Sequence, residues 1–97
     1  MLKLLLVPQA IKDLENIFEY TFQNWSLTQA ELYQDLLFES MNKILSSPKI
    51  GTKYFFKKGK YRKLNSNKHI IFYRIEGEYC IIVRILHERM DLNSHLI

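Results

Sequence analysis

With one cysteine in 97 residues the chain cannot close an internal disulfide. Cys80, set between Tyr79 and Ile81, reads as a packed thiol in a reducing compartment. Three glycines and two prolines leave little room for linkers, and there are no internal repeats or low-complexity tracts. Long hydrophobic runs are missing too. The start, Met1 to Val7, is apolar but halts at Pro8 and a charged helix, too short for a signal peptide or a membrane span. A cytoplasmic protein with no membrane partner is expected. Acidic residues are absent from Ser40 to Ile75, where Lys43, Lys49, Lys53, Lys57, Lys58, Lys60, Arg62, Lys63, Lys68 and Arg74 all fall. The stretch from Asp13 to Glu39 is the reverse, with acidic side chains and no lysine or arginine. A body polarised in this way, with a net charge of +4, is expected to turn its basic side to an anionic partner.

What is present argues for order. Apolar residues make up 47% of the chain and aromatics 13%, which excludes a disordered chain and suits one domain over residues 1–97. Residues 2–7 read as a strand. Pro8 then fits the first turn of a helix, where its missing donor is not needed. Ala10, Ile11, Leu14, Ile17, Phe18 and Phe22 recur at helical steps, which predicts an amphipathic helix ending near Trp25. Ser26 with Gln29 makes a capping box that opens a second helix, whose stripe is Ala30, Tyr33, Leu37, Met41, Ile44 and Leu45. So tight a junction implies an antiparallel helical hairpin.

From Ile50 to Gly59 the pattern breaks up and reads as a loop with at most a short strand. Tyr61 to Leu64 is a strand, Asn65 to Asn67 a turn. The chain then makes a long hairpin: His69 to Ile75, a turn at Glu76-Gly77-Glu78, and Tyr79 to Leu86. The order is β-α-α-β-β-β. The final strands are apolar at nearly every position, so both faces are expected to be partly covered. Arg74 and Arg84 interrupt them. Each must snorkel, pair with an acidic residue or meet an outside partner.

The order and spacing of these pieces resemble the ParE toxins within the RelE/ParE superfamily of bacterial type II toxin–antitoxin systems. The resemblance runs through Pro8-Gln9-Ala10, Asp13-Leu14 with Ile17 and Tyr20, and the Trp25 region. It continues in Ser47-Pro48, Ile50-Gly51, Tyr61-Arg62-Lys63-Leu64 and His69 to Arg74. The most specific part is Ile82 to His87 followed by Arg89-Met90-Asp91. It implies an α+β fold: an N-terminal strand and a helical hairpin packed on a small antiparallel sheet. It also implies a toxin neutralised by a cognate antitoxin, ParD-like or other, in a hetero-oligomer. ParE-type members poison DNA gyrase by binding; RelE-type relatives are ribosome-dependent mRNA endoribonucleases.

Cleavage would need an acid, a base and cations around the phosphate. The nuclease set is Arg62, Arg84 and His87, and the wider set of target-binding candidates adds His69, Arg74 and Arg89. The plain alternatives are a strand-end contact for His87, a hydrogen bond to the loop near Asn65 for His69, and pairing of Arg74 or Arg84 with Asp13, Glu15 or Glu88. Leu32 and Leu36, one turn apart on an otherwise solvated helix face, suit an antitoxin helix. Lys57, Lys58, Lys60 and Lys63 suit its acidic segment. The same lysines, interleaved with Tyr54, Phe55, Phe56 and Tyr61, also fit a nucleic-acid surface; the plain view is rings capping the core and solvated lysines. His87, Asp91 and His95 are spaced by four, yet offer no fourth ligand. Neither a metal nor a cofactor is expected.

Overall fold

The computed structural model describes residues 1–56 and 59–90. In chain order the elements are β1 (Lys3–Leu6), α1 (Pro8–Asn24), α2 (Leu27–Ser46), β2 (Thr52–Phe56), β3 (Gly59–Ser66), β4 (His69–Glu76) and β5 (Tyr79–His87). The fold class is the expected α+β arrangement, with two departures. The stretch expected to be mainly loop contains β2, an edge strand, so five strands form one sheet in the order β1-β5-β4-β3-β2. Its lysines hid the alternation of Tyr54 and Phe56, whose rings both turn to one face. In addition β1 pairs with β5 in parallel, so the sheet is mixed. The helical hairpin and then β2, β3 and β4 lie between these two strands in sequence, so this parallel pair joins the two ends of the chain's element order.

Local chemistry sets the element ends. Pro8 starts α1, and the Ser26 hydroxyl accepts the Gln29 N–H at 3.0 Å to open α2. The β4–β5 hairpin closes with Gly77 and Glu78 between the paired residues Glu76 and Tyr79. Gly77 takes φ +56°, where a side chain would strain the turn.

Two apolar clusters explain why the last two strands hardly alternate. On the helical side Ala10, Leu14, Leu37, Met41 and Ile44 meet Ile71, Tyr73, Cys80, Ile82 and Ile85. On the other side Phe72, Ile81, Val83 and Leu86 gather Tyr54, Phe56, Tyr61 and Ile70. Full burial stabilises each large side chain by about 1.5–3 kcal/mol. The Cys80 thiol is buried and its pKa is pushed up to about 11 by desolvation, so it behaves as a packed core group. The first helix departs from its expected stripe: Ile11 and Phe22 are exposed, Ala10 and Leu14 buried. Because α1 packs on both α2 and β5, its buried arc is centred on Ala10, Asp13 and Leu14. No helix among the described residues is long and apolar enough to cross a membrane.

Candidate functional site

Arg84 occupies a place made by a break in the ladder. Phe72 pairs with Arg84, but its neighbour Tyr73 pairs with Ile82, so Val83 is an extra residue and β5 bulges there. A bulge bends the strand and re-aims the side chain beside it. Arg84 Nε lies 2.8 Å from Asp13 Oδ2, and Nη2 lies 3.0 Å from Oδ1, a two-point contact between fork and carboxylate. Asp13 Oδ2 also accepts the Ile85 N–H at 3.0 Å. The need for that acceptor follows from topology. The last bond from the β1 side is Val7 N–H to the Ile82 carbonyl, beyond which the chain turns into α1. Asp13 takes over where the strand stops. Of the possible acidic partners for Arg84, Asp13 is therefore the one used, and both side chains are largely buried.

His69 and His87 are cross-strand partners, their rings edge to face at 5.4 Å. The Tyr33 hydroxyl of α2 lies 2.6 Å from His69 Nδ1 and accepts the Lys68 N–H at 3.2 Å. Burial holds the His69 pKa down at about 4, with His87 next in importance, so its ring is neutral near pH 7. Its partner is thus Tyr33 rather than the loop near Asn65. His87 Nδ1 accepts the Arg89 N–H at 3.2 Å, so this nitrogen is engaged within the fold. Among the described residues no group of three metal-binding side chains comes together. Asp91 and His95 lie outside the described residues.

Arg62 belongs to a third network. Its Nη1 donates to the Gly51 carbonyl at 2.7 Å and the Lys49 carbonyl at 3.4 Å. Beside it the Tyr73 hydroxyl donates to the Pro48 carbonyl at 2.7 Å and accepts the Gly51 N–H at 2.9 Å. Gly51 has no room for more: a β-carbon there would sit 2.6 Å from the Tyr73 oxygen and 2.9 Å from the Lys63 carbonyl. Arg74 pairs with Glu76 at 2.6 Å in a solvated contact of little energetic weight.

The nuclease candidates do not converge. Arg62 shares a row with Tyr73 and Ile82, whereas His87 shares one with His69 and Ser66. Those rows are four residues apart along β3, about 13 Å at the usual rise. Arg84 turns to the β5 edge and α1. Each of the three already has a partner within the fold.

The remaining candidates fall on separate surfaces. Leu32 and Leu36 are exposed on α2, as their positions off the buried stripe required. Lys63 lies over the Tyr54 ring, 5.3 Å from its centre, on the sheet face away from the helices. Arg89 is exposed beyond β5, and Lys57 and Lys58 lie outside the described residues. Lys60 lines a cleft of about 300 Å³ with Lys53, Phe55, Tyr61, Arg62 and Arg74. Sequence reasoning missed Tyr33, Gly51 and Tyr73 as polar partners. Tyr33 and Tyr73 sat within apolar patterns that gave no hint of what their hydroxyls would reach.

A family model, the ParE toxin of type II toxin–antitoxin systems (parDE), matches residues 4–92. Toxin ParE1 of Mycobacterium tuberculosis is 39% identical over 93 residues, 95% of each chain. Toxin ParE1 of Caulobacter vibrioides is 33% identical over 88 residues, 91% of each. A chain from the chromosomal ParDE system of P. aeruginosa superposes with a TM-score of 0.77 at 18% identity, covering 90% of this chain and 96% of that one. A chain of the YoeB dimer from Staphylococcus aureus gives 0.54 at 19% identity, with 90% and 97% covered. At such identities the structural likeness speaks for the fold. The family match and the ParE1 relatives speak for descent: the chain belongs to the ParE toxin family of type II toxin–antitoxin systems.

Proposed function

We propose that this toxin acts by binding DNA gyrase, without turning over a substrate, and that a cognate antitoxin neutralises it by covering the exposed α2 face at Leu32 and Leu36, its acidic segment reaching lysines such as Lys63. The observation that carries the reading is the separation of the nuclease candidates. Arg62 is tied to the Gly51 carbonyl, Arg84 to Asp13, and His87 stands a strand row about 13 Å from Arg62. Acid–base catalysis at one phosphate needs its groups within hydrogen-bond reach of that phosphate. Binding has no such requirement, and the lopsided charge suits a nucleoprotein target.

Purified toxin added to gyrase and relaxed plasmid is expected to block supercoiling and to trap cleaved DNA. Addition of the antitoxin should restore activity, and less so against Leu32→Glu/Leu36→Glu. Full supercoiling at toxin excess would remove gyrase as the target. If induction in cells instead gave position-specific cuts in mRNA that disappear with His87→Ala, the ribonuclease alternative would take its place.

A further inference from the structure

The helices cover only part of their side of the sheet. Beyond them, on β2 and β3, the register sets Lys53 directly opposite Arg62 and Phe55 directly opposite Lys60. Like charges facing each other across neighbouring strands destabilise the pair. Here the repulsion is compounded, because Lys60 is two residues from Arg62 along β3, on the same face. Arg74 and Ile75 of β4 border it, and none of the residues lining the cleft is acidic. Glu76 approaches Arg74 through Nε at 2.6 Å, but no acidic partner is recorded for Lys53 or Lys60 among the described contacts. Phe55 stands in the middle of these cations with 67% of its surface exposed. A large ring in water and a cross-strand pair of like charges are both unfavourable in the free protein. One ligand would relieve both.

We propose that this cleft binds single-stranded nucleic acid, with phosphates on Lys53, Lys60 and the outer face of Arg62 and a base stacked on Phe55. The dimensions suit such a ligand, since about 300 Å³ lies within the range of small-ligand clefts. The cleft's charge supplies sequence-independent affinity, and the ring selects an unpaired base over a paired one. An acidic peptide could use the lysines, but it would leave Phe55 without a flat partner. This site does not depend on gyrase being the target, and its test uses the toxin alone.

Fluorescence polarisation of a labelled 12-mer of deoxythymidine, with the whole purified toxin at low salt, reads the site directly. Binding is expected, weakening as salt rises because counterions are released. Lys53→Ala/Lys60→Ala should abolish it. Phe55→Ala should weaken it by about tenfold or more, the size of one lost base stack, whereas Phe55→Trp should retain it. Circular dichroism confirms that each variant is folded. A Lys3→Ala/Lys12→Ala variant, which removes the same charge from β1 and α1, should bind as the parent does. Equal loss there, equal affinity for duplex or for a polyglutamate of matched charge, or indifference to Phe55→Ala would each overturn the proposal.

Discussion

The two ends of the sheet treat buried or crowded cations in opposite ways. At the β5 end Arg84 is enclosed, and Asp13 answers it with two hydrogen bonds while also accepting the Ile85 N–H. At the β2 end Lys53, Lys60 and Arg62 crowd one face, and among the described residues carbonyls are seen reaching Arg62. The first arrangement serves the fold. The second is the one to which the proposed ligand is assigned. Arginine within an apolar strand is thus a poor marker of a functional surface by itself; what decides is whether an acidic side chain has been folded up against it.

The sharpest way to break the contrast is to remove Asp13. Asp13→Ala takes away both bonds to a largely buried guanidinium and the acceptor that ends the β5 edge. Breaking a buried pair from one side destabilises by about 3–5 kcal/mol, enough to lower the melting temperature by well over 10 °C in a domain of this size. Arg84→Ala should be milder, since Asp13 would keep the Ile85 N–H. Thermal melts of both variants, followed by circular dichroism, check the order. Should Asp13→Ala melt with the parent, Arg84 would have to be reassigned to the outer surface.

Between the two ends sits the histidine pair, where the fold keeps a titratable ring neutral. His69 has its pKa lowered from 6.5 to about 4, first by burial and then by His87. The neutral ring is favoured in the folded state, so its contribution is full above about pH 6.5 and is lost as pH falls toward 4. Allowing for the ring's partial exposure, that loss is on the order of 2 kcal/mol. Urea unfolding from pH 7 to pH 4 should therefore show a steeper decline for the parent than for His69→Gln, which keeps a polar contact to Tyr33 but cannot be protonated. Parallel profiles would mean that carboxylates alone carry the acid sensitivity.

The contrast also separates what the residues announced from what they concealed. Helix starts at Pro8 and Ser26, the stripe Ala30, Leu37, Met41 and Ile44, and the hairpin turn at Gly77 were legible because each depends on local chemistry. Strand β2 was not, because Lys53 and the run of rings Tyr54, Phe55 and Phe56 show no alternation until a second face of the sheet is known to be covered. The bulge at Val83 was equally hidden: nothing in Ile82-Val83-Arg84 says which residue is extra, yet that one residue decides where Arg84 points. Asp13 was on the short roster of partners, but choosing it over Glu15 and Glu88 required the end of β1. The basic cleft was visible as composition only; its cross-strand pairing comes from register.

That register yields the smallest effect and the one that most sharpens the comparison. If Lys53 and Arg62 repel across β2 and β3, Lys53→Glu replaces a like pair with an opposite one and should stabilise the fold by about 0.5 kcal/mol. A rise of a few degrees in melting temperature is the readout. The same change puts a carboxylate in the cleft and should abolish binding of single-stranded oligonucleotide. Gain of stability with loss of binding is the mark of a position held for a ligand at the expense of the free protein. The mirror-image change at the other end, Asp13→Lys, should lose stability heavily and leave no native binding to measure. If Lys53→Glu instead lowers the melting temperature, the charges at the β2 end are already accommodated within the fold, and the two ends of the sheet do not differ in kind.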